Sequence, residues 1–582
     1  MFRNGSRPTR ELAKTPLFQL HSENLPLEKR FEISYKRAQA IGRAYKLSED
    51  DVLNLSPRFW DVHTDPMWGM DGAAATLITL QYNCCAGTLA MFADSHPTVR
   101  ATLEKVLRFD ISGQFCLTEV AHGLDVINME TRAVSMPDGT FDLHTPHDGA
   151  AKYMPPTSPI GLPCSAVVFA RTIVEGEDRG IKPYLVHLHD GRTMNKGITS
   201  KLLPQKGGSR PLNHSLTYFH HVRLPAHALL GPIDMPDDAR MAFFFNIFRV
   251  AVGTIAVSSV AVPSLQISSY LAARYSQRRK VFDHAAPGNQ LPIIEFRTQK
   301  TPIVTVLAQA YVIRAMLDYT VDLFRDESQD PRVRHAIAMI TKVTLLFAAQ
   351  EAHLTLSDRM GAQGLFEVNQ LSAMFNDMRG TAIAEGDLLV ISIRLASELL
   401  LGRYSIPETK DVTSLLARHE LGLEGELKSA LRIMPNHRGS DFDREILPRS
   451  VEFITAIGHR MAFDAAVAAG VDPCLLDLFV AACVKKDPAF YVENMGLSRI
   501  RQRKMEATAV DNVYSRLEEF LAPMEIEPYV TAPIVSQEKW DEYVGSMKTY
   551  DSNAESLEFT RRGSTHSLID YPPSFQLTAA KL

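Results

Sequence analysis

The chain has 582 residues, 45% of them hydrophobic and 22% charged, with 62 Lys+Arg against 67 Asp+Glu and a formal net charge of −5. That composition excludes general disorder, and the near balance of charge leaves no basic footprint for a nucleic acid partner. At about 150 residues per domain the length predicts roughly three to four domains, while six cysteines (Cys84, Cys85, Cys116, Cys164, Cys474, Cys483) without a Cys-x-x-Cys pair predict a reducing compartment rather than a disulfide framework.

Residues 1–110 read as an N-terminal helical domain. The opening residues lack the apolar core of a secretory signal. Leu27–Tyr45 is charged and amphipathic, 70–93 is rich in Ala, Leu and Met like a buried helix, and Pro97 stands at a first-turn position for a helix over 98–108. Residues 111–235 change character, with short alternating runs at 165–173, 183–189 and 215–224 separated by turn signals such as Pro137-Asp-Gly and Lys206-Gly-Gly. In the last run Leu216, Tyr218, His220, Val222 and Leu224 are expected on one face. This is the middle β-barrel-like domain.

Residues 236–404 return to helices. The most membrane-like run, 241–265, contains Asn246 and Arg249 and ends near Pro263, so it predicts a buried helix rather than a membrane span. Helices follow over 301–324, 333–356 and 388–401. Residues 405–582 form a second C-terminal helical domain, striped at 450–469 and 473–486, with a tail ending Ala580-Lys581-Leu582. A terminal small–basic–Leu tripeptide is a receptor-read peroxisomal address; without it the chain is expected in the cytoplasm. The helix, strand, helix, helix order gives an α+β multi-domain class with two C-terminal helical bundles and a ligand cleft between layers.

No phosphate loop, Gly-x-Gly-x-x-Gly, Gly-x-Ser-x-Gly elbow or His-Glu-x-x-His occurs. His187 and His189 share a predicted strand face, and His220 and His221 follow on a neighbouring strand, but no carboxylate or cysteine stands at ligand spacing, so no metal is expected. Four other patterns run in order: 115–125 (FCLTEVAHGLD), 274–282 (RYSQRRKVF), 360–364 (MGAQG) and 384–387 (AEGD). Each has an ordinary reading: a plain turn, a basic helix end, a helix C-cap, and an acid favoured at a helix start. Tyr275, Arg279 and Phe282, spaced i, i+4 and i+7, are expected on one helix face.

Taken together, the four patterns and the helix–β–helix order resemble the acyl-CoA oxidase and acyl-CoA dehydrogenase superfamily of FAD enzymes. The resemblance covers about residues 60 to 400 by motif and the remainder only by helical character. It implies that Leu117 and Thr118 contact the flavin ring, with Gly123 continuing that loop. It places Arg279 on the FAD diphosphate across a homodimer contact, Phe282 beside the adenosine, and Gly361 and Gly364 where a backbone approaches the cofactor. Met154, in the turn 152–156 (KYMPP), takes the position of a family tryptophan; Ala362 and Asp387-Leu388 are further departures. Glu385 matches the base that removes a proton from carbon 2 of an acyl thioester, whose carbonyl is polarised by the Glu385 N–H and the flavin ribityl hydroxyl.

The implied activity is that of an acyl-CoA oxidase, giving a trans-2-enoyl-CoA while O2 becomes H2O2. Oxidase over dehydrogenase rests on the tail, which an import receptor would read, and on the extra helical region. Two alternatives stay open: a relative desaturating a non-fatty acyl thioester in a biosynthetic pathway, and a non-catalytic flavin- or acyl-CoA-binding dimer partner.

Overall fold

A computed structural model describes residues 7–235, 238–283, 288–437 and 439–550. Helix α1 (Leu27–Tyr45) lies where its amphipathic pattern puts it, burying Phe31, Tyr35, Ala38 and Ile41. The run expected as one helix over 70–93 is three pieces. Helix α2 (Gly72–Ile78) passes into an eight-residue π-helical segment (Thr79–Ala86), and α3 (Gly87–Met91) completes it. A π turn widens the helix, and such turns, rare overall, are frequent at functional sites. Helix α4 (Pro97–Leu107) follows with proline in its first turn.

The middle of the chain curls into two sheets. Strands β1 (Ser112–Cys116), β2 (Arg132–Ser135), β3 (Phe141–His144), β4 (Lys152–Tyr153), β5 (Cys164–Val174), β6 (Glu177–His189), β7 (Ile198–Leu202), β8 (Ser215–Phe219) and β9 (Val222–Leu224) supply them. The larger sheet runs β1-β5-β2-β3-β9 with β6 on β5; the smaller runs β4-β8-β7. β1 and β2 lie end to end along β5, both parallel to it, in registers Gln114↔Ala166 and Ala133↔Thr172. The core between the sheets is Phe141, Leu143, Val168, Tyr184, Phe219 and Leu224 with smaller neighbours.

Two strand expectations are corrected. The run 215–224 is not one strand: it breaks at His220–His221, where His221 turns left-handed (φ 51). In its first half Ser215, Thr217, Tyr218 and Phe219 are all buried, and the Tyr218 ring stacks on that of His220 with centroids 6.0 Å apart. His187 and His189 do not share a face either. A register shift pairs Cys164 with His189 and Ser165 with His187, so His189 is buried while His187 is exposed and bonds the Ser165 hydroxyl at 2.8 Å.

Beyond the sheets, α5 (Phe248–Ser259) and α6 (Ala261–Arg278) run through the centre of the molecule. Together they are long and apolar enough to cross a bilayer, but 78% of their most apolar window is buried in protein. The chain then leaves the helix. Arg279 is already extended (φ −73, ψ 122), and β10 (Lys280–Phe282) pairs with β11 (Gln290–Pro292). Tyr275, Arg279 and Phe282 therefore do not share a helix face. Helices α7 (Arg297–Arg325), α8 (Pro331–Asp358), α9 (Leu371–Ile383) and α10 (Leu388–Leu400) build the bundle, and α11 (Leu415–Arg432), α12 (Ser450–Ala468) and α13 (Pro473–Val484) pack against it. All six cysteines are free. The tail Ala580-Lys581-Leu582 lies outside the described residues.

Candidate active site

Glu385 sits in the short turn between α9 and α10. Gly386 has φ +99 and Glu385 itself φ +57, a left-handed conformation ordinary for glycine but costly for a glutamate, by about 1–3 kcal/mol. Such a conformation persists only where surroundings impose it, and here they do. Lys342, fully buried on α8, donates to the carbonyl of Ala384 and, at 2.6 Å, to that of Gly386. Both neighbours of Glu385 are thus held by one ammonium.

The ordinary reading of this acid was a charge placed at a helix start. Asp387 takes that part: its Oδ1 accepts from the backbone N–H of Leu389 at 2.9 Å and of Val390 at 3.3 Å. Glu385 instead turns into the seam between the π-helical segment and α5. Its Oε1 lies 3.9 Å from Cys84 Sγ, and a Cβ added at Gly253 would stand 2.7 Å from that same oxygen. Glycine at 253 is what leaves room for the carboxylate. Asn83 Nδ2 donates to the carbonyl of Arg249 at 2.9 Å and ties the two elements together. The Glu385 N–H makes no backbone hydrogen bond among the described residues, so it is free to donate to a ligand carbonyl.

Electrostatics follow from that packing. The Glu385 residue keeps some accessible surface, but its carboxyl is desolvated, which raises its pKa to about 7 against the downward pull of Lys342 and the Cys84 thiol. Burial, reinforced by Glu385, holds the Cys84 thiol well above its ordinary pKa. Burial lowers Lys342, with Glu385 and Asp387 resisting. Arg249, only 1% exposed, leaves Nε and Nη1 without partners among the described residues, and burial lowers its pKa to about 10.

A second group forms where the β sheets meet. Lys152 and Glu119, both wholly buried, pair at 3.0 Å, and Lys152 Nζ also reaches the carbonyl of Leu117 at 3.2 Å. Burial alone would raise Glu119; Lys152 and the N–H groups of Glu130 and Thr131 outweigh it and hold the carboxyl low. The Tyr153 N–H donates to the Thr118 carbonyl at 2.9 Å. Leu117, Thr118 and Met154 are therefore brought together by an internal ion pair. Met154 stands left-handed (φ 74), and its carbonyl accepts from His214 Nδ1 at 2.6 Å.

A third group gathers at the end of α6. The Tyr275 hydroxyl donates to the Met360 carbonyl at 3.4 Å, placing that helix end beside Gly361. Gly361 has φ +59 and open space where a Cβ would lie. Gly364 differs: a Cβ there would collide with the Ser357 carbonyl, and the Ser357 hydroxyl donates to the Gly364 carbonyl at 2.7 Å. The end of α8 by itself requires glycine at 364. Arg279 and Phe282 are exposed, Phe282 at 69%. Gly123 is exposed with nothing near its Cβ position and joins none of the three groups.

FAD would need donors and a stacking surface at its ring and cations at its diphosphate. Thr118 offers a half-buried hydroxyl with no partner among the described residues, Met154 a sulfur on a fixed turn, and Arg279 an exposed guanidinium fork. That donor set fits the group. No cluster of three or more His, Cys, Asp or Glu able to hold a metal occurs among the described residues.

Motif reading missed Asn83, Cys84, Arg249, Gly253 and Lys342. Lys342 carried a signal, a lone charge inside the apolar run 336–349, and so did Arg249 in its own apolar helix. Asn83 and Cys84 carried none, because their facing depends on the π turn.

The comparisons with known proteins agree with this layout. Residues 252–400 match the family model described as acyl-CoA oxidase, C-alpha1 domain. Peroxisomal acyl-coenzyme A oxidase 3 of Homo sapiens is 25% identical over 423 residues, 67% of this chain and 59% of that protein. Peroxisomal acyl-coenzyme A oxidase 1 of Arabidopsis thaliana is 25% identical over 316 residues, 50% of this chain and 47% of that one. The chain thus spans about half to three-fifths of the length of these curated relatives. Among solved structures, Arabidopsis thaliana acyl-CoA oxidase 1 superposes with a TM-score of 0.76 at 18% identity, covering 95% of this chain and 94% of that one. Acyl-CoA oxidase-1 of Caenorhabditis elegans complexed with FAD and ATP gives 0.73 at 17%, covering 93% and 90%. The match over residues 252–400 and a fold that follows solved acyl-CoA oxidases almost end to end make this chain similar to the acyl-CoA oxidases.

Proposed function

We propose that the protein is an FAD-dependent acyl-CoA oxidase that converts an acyl-CoA to a trans-2-enoyl-CoA while O2 is reduced to H2O2. The observation that carries this reading is the division of labour at the α9–α10 turn: Asp387 caps the helix and leaves Glu385 turned inward, desolvated, with a raised pKa. Abstraction of a proton from carbon 2 of a thioester calls for a carboxylate of that kind, since a base with its pKa near the working pH is both ionised and strong. In this reading Glu385 Oε1 takes the proton, and the Glu385 N–H donates to the thioester oxygen as charge grows there. The acyl chain lies beside Cys84 and Gly253, where apolar packing keeps water from the carboxylate.

Bound FAD supplies the acceptor for the hydride from carbon 3. Leu117, Thr118 and Met154 would hold its ring, and Arg279, Phe282, Gly361 and Gly364 its diphosphate and adenosine, with Gly123 on the adjoining loop. Exposure of Arg279 and Phe282 in the single chain supports a homodimer in which a second copy completes that end of the site. The same reading divides the chain at 1–110, 111–235, 236–404 and 405–582, and assigns it to the peroxisome through its Ala-Lys-Leu terminus.

The test is an absorbance spectrum of purified protein with straight-chain acyl-CoA esters, without air and then in air. Bleaching of a flavin band followed by peroxide formation is expected. Glu385→Gln should retain FAD and lose turnover. A flavin that no acyl-CoA bleaches would sink the oxidase assignment, and a Gln variant keeping most of its activity would move the base elsewhere.

A further inference from the structure

Lys342 is unlike the other lysines near the site. It lies in the middle of α8, among Met339, Ile340, Val343, Leu345 and Leu346, with no accessible surface. An ammonium in such a place is costly and ordinarily needs a carboxylate partner. Among the described residues no salt bridge joins it to a carboxylate; its hydrogen bonds go to two backbone carbonyls, those of Ala384 and Gly386. These are the residues on either side of Glu385, and Glu385 is the one in the strained left-handed conformation. A charge-assisted hydrogen bond is shorter and stronger than a neutral one, and two of them from one fixed point pin the turn at both ends.

We propose that Lys342 is a positioning residue for the reaction: by clamping the carbonyls of Ala384 and Gly386 it holds Glu385 in the conformation that aims its carboxylate at the seam between the π-helical segment and α5. This rests on the reading of Glu385 as the base. The clamp does two separable things. It fixes geometry, because rotation of either peptide would swing the Glu385 side chain away from Gly253 and Cys84. It also places a positive charge close to the carboxylate without bonding to it, so the base stays free for substrate while its ionised form gains support. Besides Lys342, the groups facing Glu385 from the surrounding elements are the Cys84 thiol on the π-helical segment and, beyond that thiol, Arg249 on α5; Asp387 lies on the turn itself.

Three variants separate these effects. Lys342→Met keeps the unbranched stem and removes charge and donors. It should lower kcat by about tenfold to a hundredfold, as expected for a displaced catalytic group, while KM moves less than about threefold. The acid limb of the kcat/KM profile should move up by about one pH unit, since an opposite charge no longer favours the carboxylate. Lys342→Arg should restore the limb even where turnover is only partly regained. Should Lys342→Met fail to fold, Lys342→Gln, which retains two N–H donors without the charge, carries the same measurement and should show the same upward shift.

An infrared pH titration of the Glu385 carboxyl, assigned by its disappearance in Glu385→Gln, reads the same shift with no acyl-CoA present. A wild-type protein that oxidises no acyl-CoA yet shows the infrared shift would defeat the proposed reaction and leave the clamp standing. Wild-type kcat, limb and carboxyl titration in a folded Met or Gln variant would overturn the clamp and leave the reaction untouched.

Discussion

Glu385 shows how one position can be read twice. Its identity and its place before an apolar helix were visible in the sequence, but so was the bland alternative of a dipole-favoured acid. The helix start is served by its neighbour, since Asp387 caps the helix. The functional consequence has a definite sign. A carboxyl raised to about 7 by burial is protonated, and inactive as a base, below that pH. We expect kcat/KM to fall about tenfold per unit as pH drops below about 7, measured with substrate well under KM. A profile flat down to pH 5 would mean that Glu385 titrates as an ordinary surface glutamate. What the sequence hid at this scale were the partners. Lys342 lies 43 positions away from Glu385 and Cys84 lies 301 away; neither meets that carboxylate through any local spacing.

The elements were read better than their irregularities. Helix α1 matched its expected bounds, and the long stripes at 301–324 and 333–356 became α7 and α8 with extended ends, because a 3.6-residue period sustained over many turns is a strong signal. The failures share a cause. The π-helical segment, the break at His220–His221 and the exit from helix at Arg279 are short local departures from a regular period, imposed by tertiary packing. Packing between α8 and α12 can be tested directly. Gly458 on α12 faces Thr344 on α8, and a Cβ there would run into the Thr344 hydroxyl, which is itself bonded to the Ile340 carbonyl at 2.8 Å. Helix propensity favours alanine over glycine by about 1 kcal/mol, so a net loss requires the clash to win. We expect Gly458→Ala to destabilise the protein by about 1–3 kcal/mol in chemical or thermal unfolding. A melting temperature equal to or above that of the wild type would show that the two helices separate freely.

At the scale of the whole molecule, the class and the order of helix, strand and helix were legible, since composition shifts and periodicity change together near 110 and 235. How the sheets interlock was not, because the buried Glu119–Lys152 pair joins the segment after β1 to β4, 33 residues away. The fold as a whole carries a built-in acid sensitivity. His63 on the helix Pro57–His63 and His353 on α8 are each at most 1% exposed, and burial lowers both to about 4 from an ordinary 6.5. These are bases with depressed folded-state values. Above pH 6.5 they are neutral folded or unfolded and contribute nothing pH-dependent. As pH falls from 6.5 toward 4 the unfolded chain takes up their protons and the folded chain does not. Stability should therefore drop across that window by about 3 kcal/mol per histidine. Urea unfolding at pH 7, 6, 5 and 4 measures it, and His63→Asn or His353→Asn should flatten the decline if the variant folds. A pH-independent midpoint would mean that neither ring is kept neutral.

The placing of Cys84 beside Glu385 has a further consequence. If each catalytic cycle releases hydrogen peroxide at this site, the nearest sulfur is exposed to it repeatedly. Peroxide attacks the thiolate, not the thiol. Burial and the adjoining carboxylate keep Cys84 protonated, so the packing that makes Glu385 a stronger base also shields its neighbour from oxidative wear.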